Sequence, residues 1–322
     1  MYVSVESPPR EIAKSACIEP RVAILLATYN GERYLLDQLD SLLAQTHRNW
    51  VLYVSDDGSS DTTLSILEQY RTRMEDRLHI RPGPRQGFAA NFLSMLAADD
   101  ITADYFAFCD QDDLWHSDKL ERAIVWLQQQ APEYPALYCS RTRLVSSTGV
   151  PRGLSPLFCK PPSFRNALVQ SIAGGNTMVF NAALKTLVSH AGDQPIVSHD
   201  WWLYILTSGS SGVVNYDTIP SIDYRQHSTN LVGSNNSLRS RIKRLKSVMS
   251  GNFLKWNEIN LNAIEACKHL LSDENRRVLE SFARARHANM PSRVIGILHS
   301  GVHRQGRLEN LALIAATLLR KV

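Results

Sequence analysis

The stretch Cys109-Asp110-Gln111-Asp112-Asp113-Leu114-Trp115 sets three carboxylates directly behind the apolar run Tyr105-Phe106-Ala107-Phe108. In an extended backbone, side chains two residues apart share a face, which puts Asp110 and Asp112 roughly 6.5–7 Å apart on one side of a strand end. Two like charges at the mouth of an apolar strand repel. A divalent cation held by their oxygens, and itself holding a substrate diphosphate, turns that repulsion into binding. A solvated acidic turn also accounts for an isolated D-x-D, so the rest of the chain has to decide.

A fourth carboxylate stands in Ser198-His199-Asp200-Trp201-Trp202, at the start of an expected helix running to Leu206. Beside two tryptophans, Asp200 could serve as a general base in a sugar-binding cleft. Trp201 and Trp202 would be its acceptor contacts, because aromatic faces bind the apolar faces of sugars. The structural alternative is a helix cap from Ser198 or Asp200 with Trp201 packed inward. Gly174-Gly175-Asn176-Thr177 enters an apolar strand. Its glycine pair either makes a tight turn or lets a substrate lie against the main chain. His227 follows the strand expected at Ile219 to Tyr224, just before the charge composition changes.

These residues need elements to hold them. Val22 to Ala27 is a continuous apolar run of strand length, the mark of a strand buried on both faces, and it ends at Thr28-Tyr29-Asn30-Gly31. Leu35, Leu36, Leu39, Leu42 and Leu43 form a helical stripe. A second strand from Trp50 to Val54 stops at Ser55-Asp56-Asp57-Gly58-Ser59-Ser60-Asp61, and Leu64, Leu67 and Tyr70 follow at helical spacing. Leu78 to Ile80, then Phe88, Phe92, Met95 and Leu96, repeat the unit, and Tyr105 to Phe108 is the fourth strand. Ser117 is placed to cap a helix carrying Leu120, Ala123, Ile124 and Leu127.

Strands alternating with helices predict an α/β chain with a mostly parallel sheet covered on both faces. Ligands in such folds sit beyond the carboxyl ends of the strands. All three polar clusters fall there. The G-x-G-x-x-G of a dinucleotide-binding fold is missing after the first strand, as is a P-loop. Carboxylate-held metal then remains the economical way to bind phosphates.

The chain has 322 residues, 44% of them hydrophobic, enough for one large domain or a core domain with an appendage. No apolar run approaches the roughly 18 residues needed to span a bilayer. Residues 1–20 form a polar leader without the apolar region of a secretory signal. Five scattered cysteines without a C-x-x-C pair suit reduced thiols in a cytoplasmic protein and give no zinc site. From Ser237 onward, 16 Lys and Arg face 6 Asp and Glu, whereas the first 236 residues carry 19 against 25. That shift suggests a boundary between a 21–236 core and a basic, helical 237–322 region.

With these residues in place, the sequence resembles glycosyltransferase family 2, the inverting nucleotide-sugar enzymes with a GT-A fold, from about Arg21 to Asn230. Ala27-Thr28-Tyr29-Asn30-Gly31, the Ser55 to Asp61 loop and the D-x-D at Asp110 to Asp112 carry the likeness in order and spacing. The fuller string Asp110 to Trp115, with Gly174 to Thr177, His199 to Trp202 and Tyr224 to His227, is similar to the rhamnosyltransferase branch that builds bacterial surface polysaccharides such as O-antigen. The resemblance implies that Thr28, Tyr29, Asn30 and one of Asp56 or Asp57 hold the nucleotide, with Gly175 and Asn176 also on the donor. It further implies that Asp110 reaches the ribose, that Asp112 and His227 hold Mg²⁺ or Mn²⁺, and that Asp200 is the base. The donor would be a dTDP- or UDP-sugar and the acceptor a lipid-linked or oligosaccharide glycan. The Q-x-x-R-W motif of processive synthases is absent, which favours single addition.

Two other classes are weighed against this. A nucleotidyltransferase should carry a glycine-rich basic loop after its first strand, and none is there. A non-catalytic glycan-binding member of the fold would need no base at Asp200. In the basic tail, Arg239, Arg241, Lys243, Arg244 and Lys246 alternate with Ile242, Leu245, Val248 and Met249, and Leu308 to Leu319 is apolar. The pattern suits either solvated helices packed on the core or a surface resting on anionic membrane at the cytoplasmic face. Nucleic acid is not indicated.

Overall fold

The computed structural model describes residues 19–227 and 252–321. Strand β1 (Val22–Thr28) lies between β2 (Trp50–Asp56) and β4 (Tyr105–Asp110), parallel to both. Its side chains alternate between two apolar layers. Val22, Ile24 and Leu26 meet Leu35, Leu39, Leu67 and Leu120, whereas Ala23 and Leu25 meet Phe92, Met95 and Leu203. That two-sided burial is why the run is continuously apolar instead of alternating.

The main sheet has seven strands in the order β10-β6-β9-β4-β1-β2-β3, with β3 at Leu78–Pro82, β6 at Ala136–Ser140, β9 at Val179–Asn181 and β10 at Val213–Asp217. All neighbours are parallel except β9, which runs antiparallel to β4 and β6. Helices α1 (Leu35–Leu43), α2 (Thr63–Met74) and α4 (Lys119–Leu127) cover one face. The other is covered by α3 (Phe88–Leu96), α6 (Ala182–Ala191) and α7 (His199–Gly209), with the one-turn α5 (Phe164–Ala167) packed on α7. The register pairs Thr28 with Asp56 and Ala27 with Asp110, so the first, second and fourth strands end side by side.

A second sheet, β5-β11-β7-β8, joins Leu114–Trp115, Ile222–Gln226, Arg143–Ser146 and Pro151–Leu154. Trp115 pairs with Ile222 and Leu114 with Asp223, which carries the chain after β11 back over the acidic loop. Of this sheet, sequence periodicity finds only β11, because β5, β7 and β8 are two to four residues long. The expected strand at Ile219 starts later, at Ile222, and the cap of α4 is Asp118, not Ser117. The segment after Gly174 forms a 3₁₀ turn (Gly175–Thr177) before β9.

The C-terminal region is helical as expected, with helices at Asn252–Ala266, Asp273–His287, Met290–Ser300 and Arg307–Leu318. Phe253, Ile264, Phe282, Ile297 and Leu313 lie in the same apolar cluster as Phe106, Phe180 and Leu203. Buried polar contacts secure the join: Asn257 Nδ2 donates to the Leu168 carbonyl at 2.6 Å and Arg304 to that of Val169 at 2.6 Å. Residues 1–18, the end of the family-like stretch at Asn230 and the basic segment Arg239 to Lys246 lie outside the described residues.

Candidate active site

Three loops meet at the carboxyl ends of β1, β2 and β4. Asp56 is buried and accepts from Thr28 Oγ1 (2.8 Å), Ser59 Oγ (2.6 Å), Ser59 N (2.8 Å) and Gly58 N (3.2 Å). A carboxylate has about four lone-pair sites, so Asp56 is saturated by its own scaffold. Asp57 accepts from Arg85 N at 2.6 Å and Gly87 N at 2.8 Å, tying the loop after β2 to the loop before α3 and keeping acceptor capacity. Asn30, at φ 47°, accepts from Ser60 N at 2.8 Å. The Tyr29 ring is 58% exposed at the rim, and its main chain exchanges two hydrogen bonds with the Gln111 amide, at 2.9 and 3.0 Å. Gln111, not among the expected site residues, therefore fixes the loop after β1 against the acidic loop.

In the acidic loop, oxygens of Asp110, Asp112 and Asp113 all lie within 4.8 Å of one another. The extended i, i+2 geometry holds only to Asp110, where β4 ends; the turn at Gln111 and Asp112 folds the next two carboxylates back. Their surroundings differ. Asp113 is wholly buried, with Oδ2 accepting from Asn176 Nδ2 at 2.6 Å and Oδ1 from Arg225 N at 3.1 Å. Asp112 Oδ2 lies 2.7 Å from His227 Nε2, the contact that β11 makes possible. Among the described residues, no donor reaches the Asp110 carboxylate. Burial, then the charges of Asp112 and Asp200, pushes that carboxyl up to about 7. Burial, then the charges of Asp112 and Asp110, also pushes Asp113 up.

Behind the cluster lies Lys119, fully buried, its Nζ 3.4 Å from the Trp115 ring centroid and donating to the Asn176 carbonyl at 2.6 Å. Burial lowers its ammonium to about 7, against the pull of Cys109, Asp113 and Asp110. Sequence periodicity does not single out Lys119. The signal for it is a cation four positions beyond Trp115, which ends the acidic stretch.

Across the site, Asp200 sits in the first turn of α7. Its Oδ1 accepts from Ser198 Oγ at 2.5 Å and Trp201 N at 2.7 Å, and its Oδ2 from Gly175 N at 3.2 Å. The side chain that holds the helix start thus also faces Asp110. Gly175 packs on His199 so closely that a Cβ would stand 2.6 Å from Nε2. The His199 ring is buried, stacked on Phe92 at 4.2 Å and edge-on to Phe108 at 4.7 Å, and neither nitrogen has a partner among the described residues. Burial lowers its imidazolium to about 4.

One expectation fails. Trp201 and Trp202 are 7% and 1% exposed, and Trp201 Nε1 donates to the Ala167 carbonyl at 2.7 Å. Helix α7 is covered by the sheet, by α5 and by the C-terminal helices, so both rings are spent on the core and offer no face to an acceptor. Thr28, Tyr29, Asn30, Asp56, Asp57, Asp110, Asp112, Gly175, Asn176, Asp200 and His227 are brought together at one end of the sheet.

The described helices include none long and apolar enough to cross a membrane. Comparison with known proteins adds the lineage. The sequence pattern described as Glycosyl transferase family 2 matches residues 23–184. The dTDP-rhamnosyl transferase RfbG of Shigella flexneri is 30% identical over 242 residues, 72% of this chain and 80% of that protein. An uncharacterized glycosyltransferase of Rickettsia typhi, RT0329, is 24% identical over 81% of this chain and 80% of its own. The crystal structure of S. aureus TarS 1-349 in complex with UDP-GlcNAc superposes with a TM-score of 0.54 at 15% identity, covering 94% of this chain and 89% of that one, a likeness of fold. The strand order, the acidic loop at the end of β4 and these matches agree: the chain is a GT-A-fold glycosyltransferase and belongs to glycosyltransferase family 2.

Proposed function

We propose that the protein is a metal-dependent, inverting enzyme that moves L-rhamnose or a related hexose from a dTDP- or UDP-sugar to a lipid-linked or oligosaccharide acceptor in bacterial surface polysaccharide synthesis. The observation that carries this reading is the nearness of Asp200 to Asp110, whose carboxyl its charge helps to raise, in the same loop that brings Asp112 to His227. The relation to RfbG favours rhamnose and dTDP.

The donor types suit Mg²⁺ or Mn²⁺: hard carboxylate oxygens of Asp110, Asp112 and Asp113 lie within 4.8 Å of one another, and the His227 imidazole stands 2.7 Å from Asp112. Asp112 and His227 would hold the ion, with Asp110 beside it on the ribose. Asp113 is spoken for by Asn176 and Arg225 and acts as a strut. When bound, such an ion offsets the charge of the leaving diphosphate. Thr28, Tyr29, Asn30 and Asp57 position the nucleotide, and Gly175 and Asn176 the donor sugar. Asp200 takes the proton from the acceptor hydroxyl as that oxygen attacks the anomeric carbon from the face opposite the diphosphate. The acceptor would be met at the cytoplasmic face of the membrane.

The test is thermal stabilisation by dTDP, UDP and GDP with and without Mn²⁺, followed by transfer assays with the best donor. Stabilisation by dTDP or UDP that is deepened by Mn²⁺ is expected. Full transfer activity in EDTA would remove the metal, and a preference for GDP would redirect the donor.

A further inference from the structure

The helix Arg307–Leu318 is buried on one side only. Leu313, Ala316 and Thr317 face the protein, while Leu308 and Leu311 are 73% and 62% exposed and Leu318 stands out with them. Steps of three and seven residues keep these leucines on one helical face. On the neighbouring helix Met290–Ser300, Ile295 and Leu298 are 67% and 60% exposed. Single exposed leucines need no explanation, but a row of them on two adjacent helices does.

Charge narrows what covers this face. Of the five cations between Met290 and Lys321, Arg293 is buried on main-chain carbonyls and Arg304 is held by the Val169 carbonyl beside Glu309, the single acid of the stretch, which leaves Arg307 and Arg320 exposed. That acid is turned inward, accepting from Gln170 Nε2 at 3.2 Å and Gly306 N at 3.3 Å. Exposed Arg307 and Arg320 bracket the leucine row. A second copy docking by the same face would bring like charges together. An anionic bilayer instead takes the leucines among its acyl chains and the flanking cations at its phosphates. The face is also rigidly presented: Arg304 and Gln305 are bound to Val169 and Gln170, and Asn310 closes on the carbonyls of Arg304 and Gly306.

We propose that Ile295, Leu298, Leu308, Leu311 and Leu318 form an interfacial surface that rests on anionic phospholipid. This deepens the lipid-linked-acceptor part of the proposed function and rests on it only there. The experiment is co-sedimentation of the full chain with phosphatidylcholine vesicles that contain or lack phosphatidylglycerol, comparing the native protein with the double variant Leu308→Glu/Leu311→Glu. Because both side chains are exposed, the variant should keep the native melting temperature. It should lose vesicle affinity by roughly tenfold or more, with transfer to a water-soluble acceptor unchanged. Native protein that ignores phosphatidylglycerol vesicles, or a variant that binds them equally well, overturns the proposal. So does a native dimer in analytical ultracentrifugation that the variant converts to monomer. Vesicle binding needs no turnover, so its failure leaves the donor chemistry standing and is distinguishable from a failed transfer assay.

Discussion

The main-chain N–H of Gly175 holds Oδ2 of Asp200 at 3.2 Å, on a glycine whose missing side chain leaves room for the His199 ring. One residue therefore both orients the expected base and accommodates the aromatic wall behind it. Replacing Gly175 with Ala forces a shift of the turn or of α7. Misplacements of about 1 Å cost on the order of 10²-fold in rate, so Gly175→Ala should lower kcat for transfer by that order. Nucleotide affinity, which the proposed function assigns to the Thr28 to Asp57 side, should change little. Parallel kcat and donor titrations check it; an unaltered kcat means that the turn absorbs the methyl group harmlessly.

Asp200→Asn keeps the size of the side chain and its acceptance from Trp201 N. Nucleotide binding should stay near native, while transfer falls by about 10²–10⁴, the usual worth of a general base. Isothermal titration with the nucleotide, alongside the rate assay, separates the two effects. An equal loss of nucleotide affinity would move Asp200 out of the proton-transfer role.

Asp112 and Asp113 should respond differently to the same change. Asp112→Asn should abolish the extra melting-temperature shift given by Mn²⁺ and leave the metal-free protein close to native stability. At Asp113 both oxygens accept hydrogen bonds in a fully buried site. Asn can accept at only one of them, so Asp113→Asn should destabilise the fold by about 1–3 kcal/mol. Chemical denaturation and Mn²⁺-dependent melting read the two outcomes, and a similar profile for both variants would refute the division of labour.

His199 gives a pH dependence of known sign. Burial lowers its imidazolium to about 4 from an ordinary 6.5, so the unfolded chain binds more protons between these values. Its contribution to stability is thus complete above about 6.5 and is lost as pH falls toward 4, on the order of 3 kcal/mol in all. His199→Phe, which preserves the aromatic stacking, should flatten this part of the stability-against-pH curve. A native-like slope in the variant would assign the acid sensitivity elsewhere.

The first four strands and their polar ends were legible because burial on both faces writes itself as uninterrupted apolar runs such as Val22 to Ala27. The convergence of Thr28, Asp56 and Asp110 followed from topology alone. What stayed hidden depends on partners far away in the chain. Gln111 looks like a spacer until its amide meets Tyr29, 82 residues earlier, and Lys119 looks like a surface cation until the turn before β9 brings the Asn176 carbonyl to it. The tryptophans after Asp200 misled for the converse reason. A helix covered from every side leaves no polar face in the sequence to show which aromatic side chains are already committed.

Asp112 and His227 meet across 115 residues of chain, held there by the short pairing of β5 with β11. The loops after β1 and β2 owe their contacts to the first half of the chain, whereas the acidic loop owes its imidazole to the second. His227 completes the cluster only once the second sheet has formed over the acidic loop.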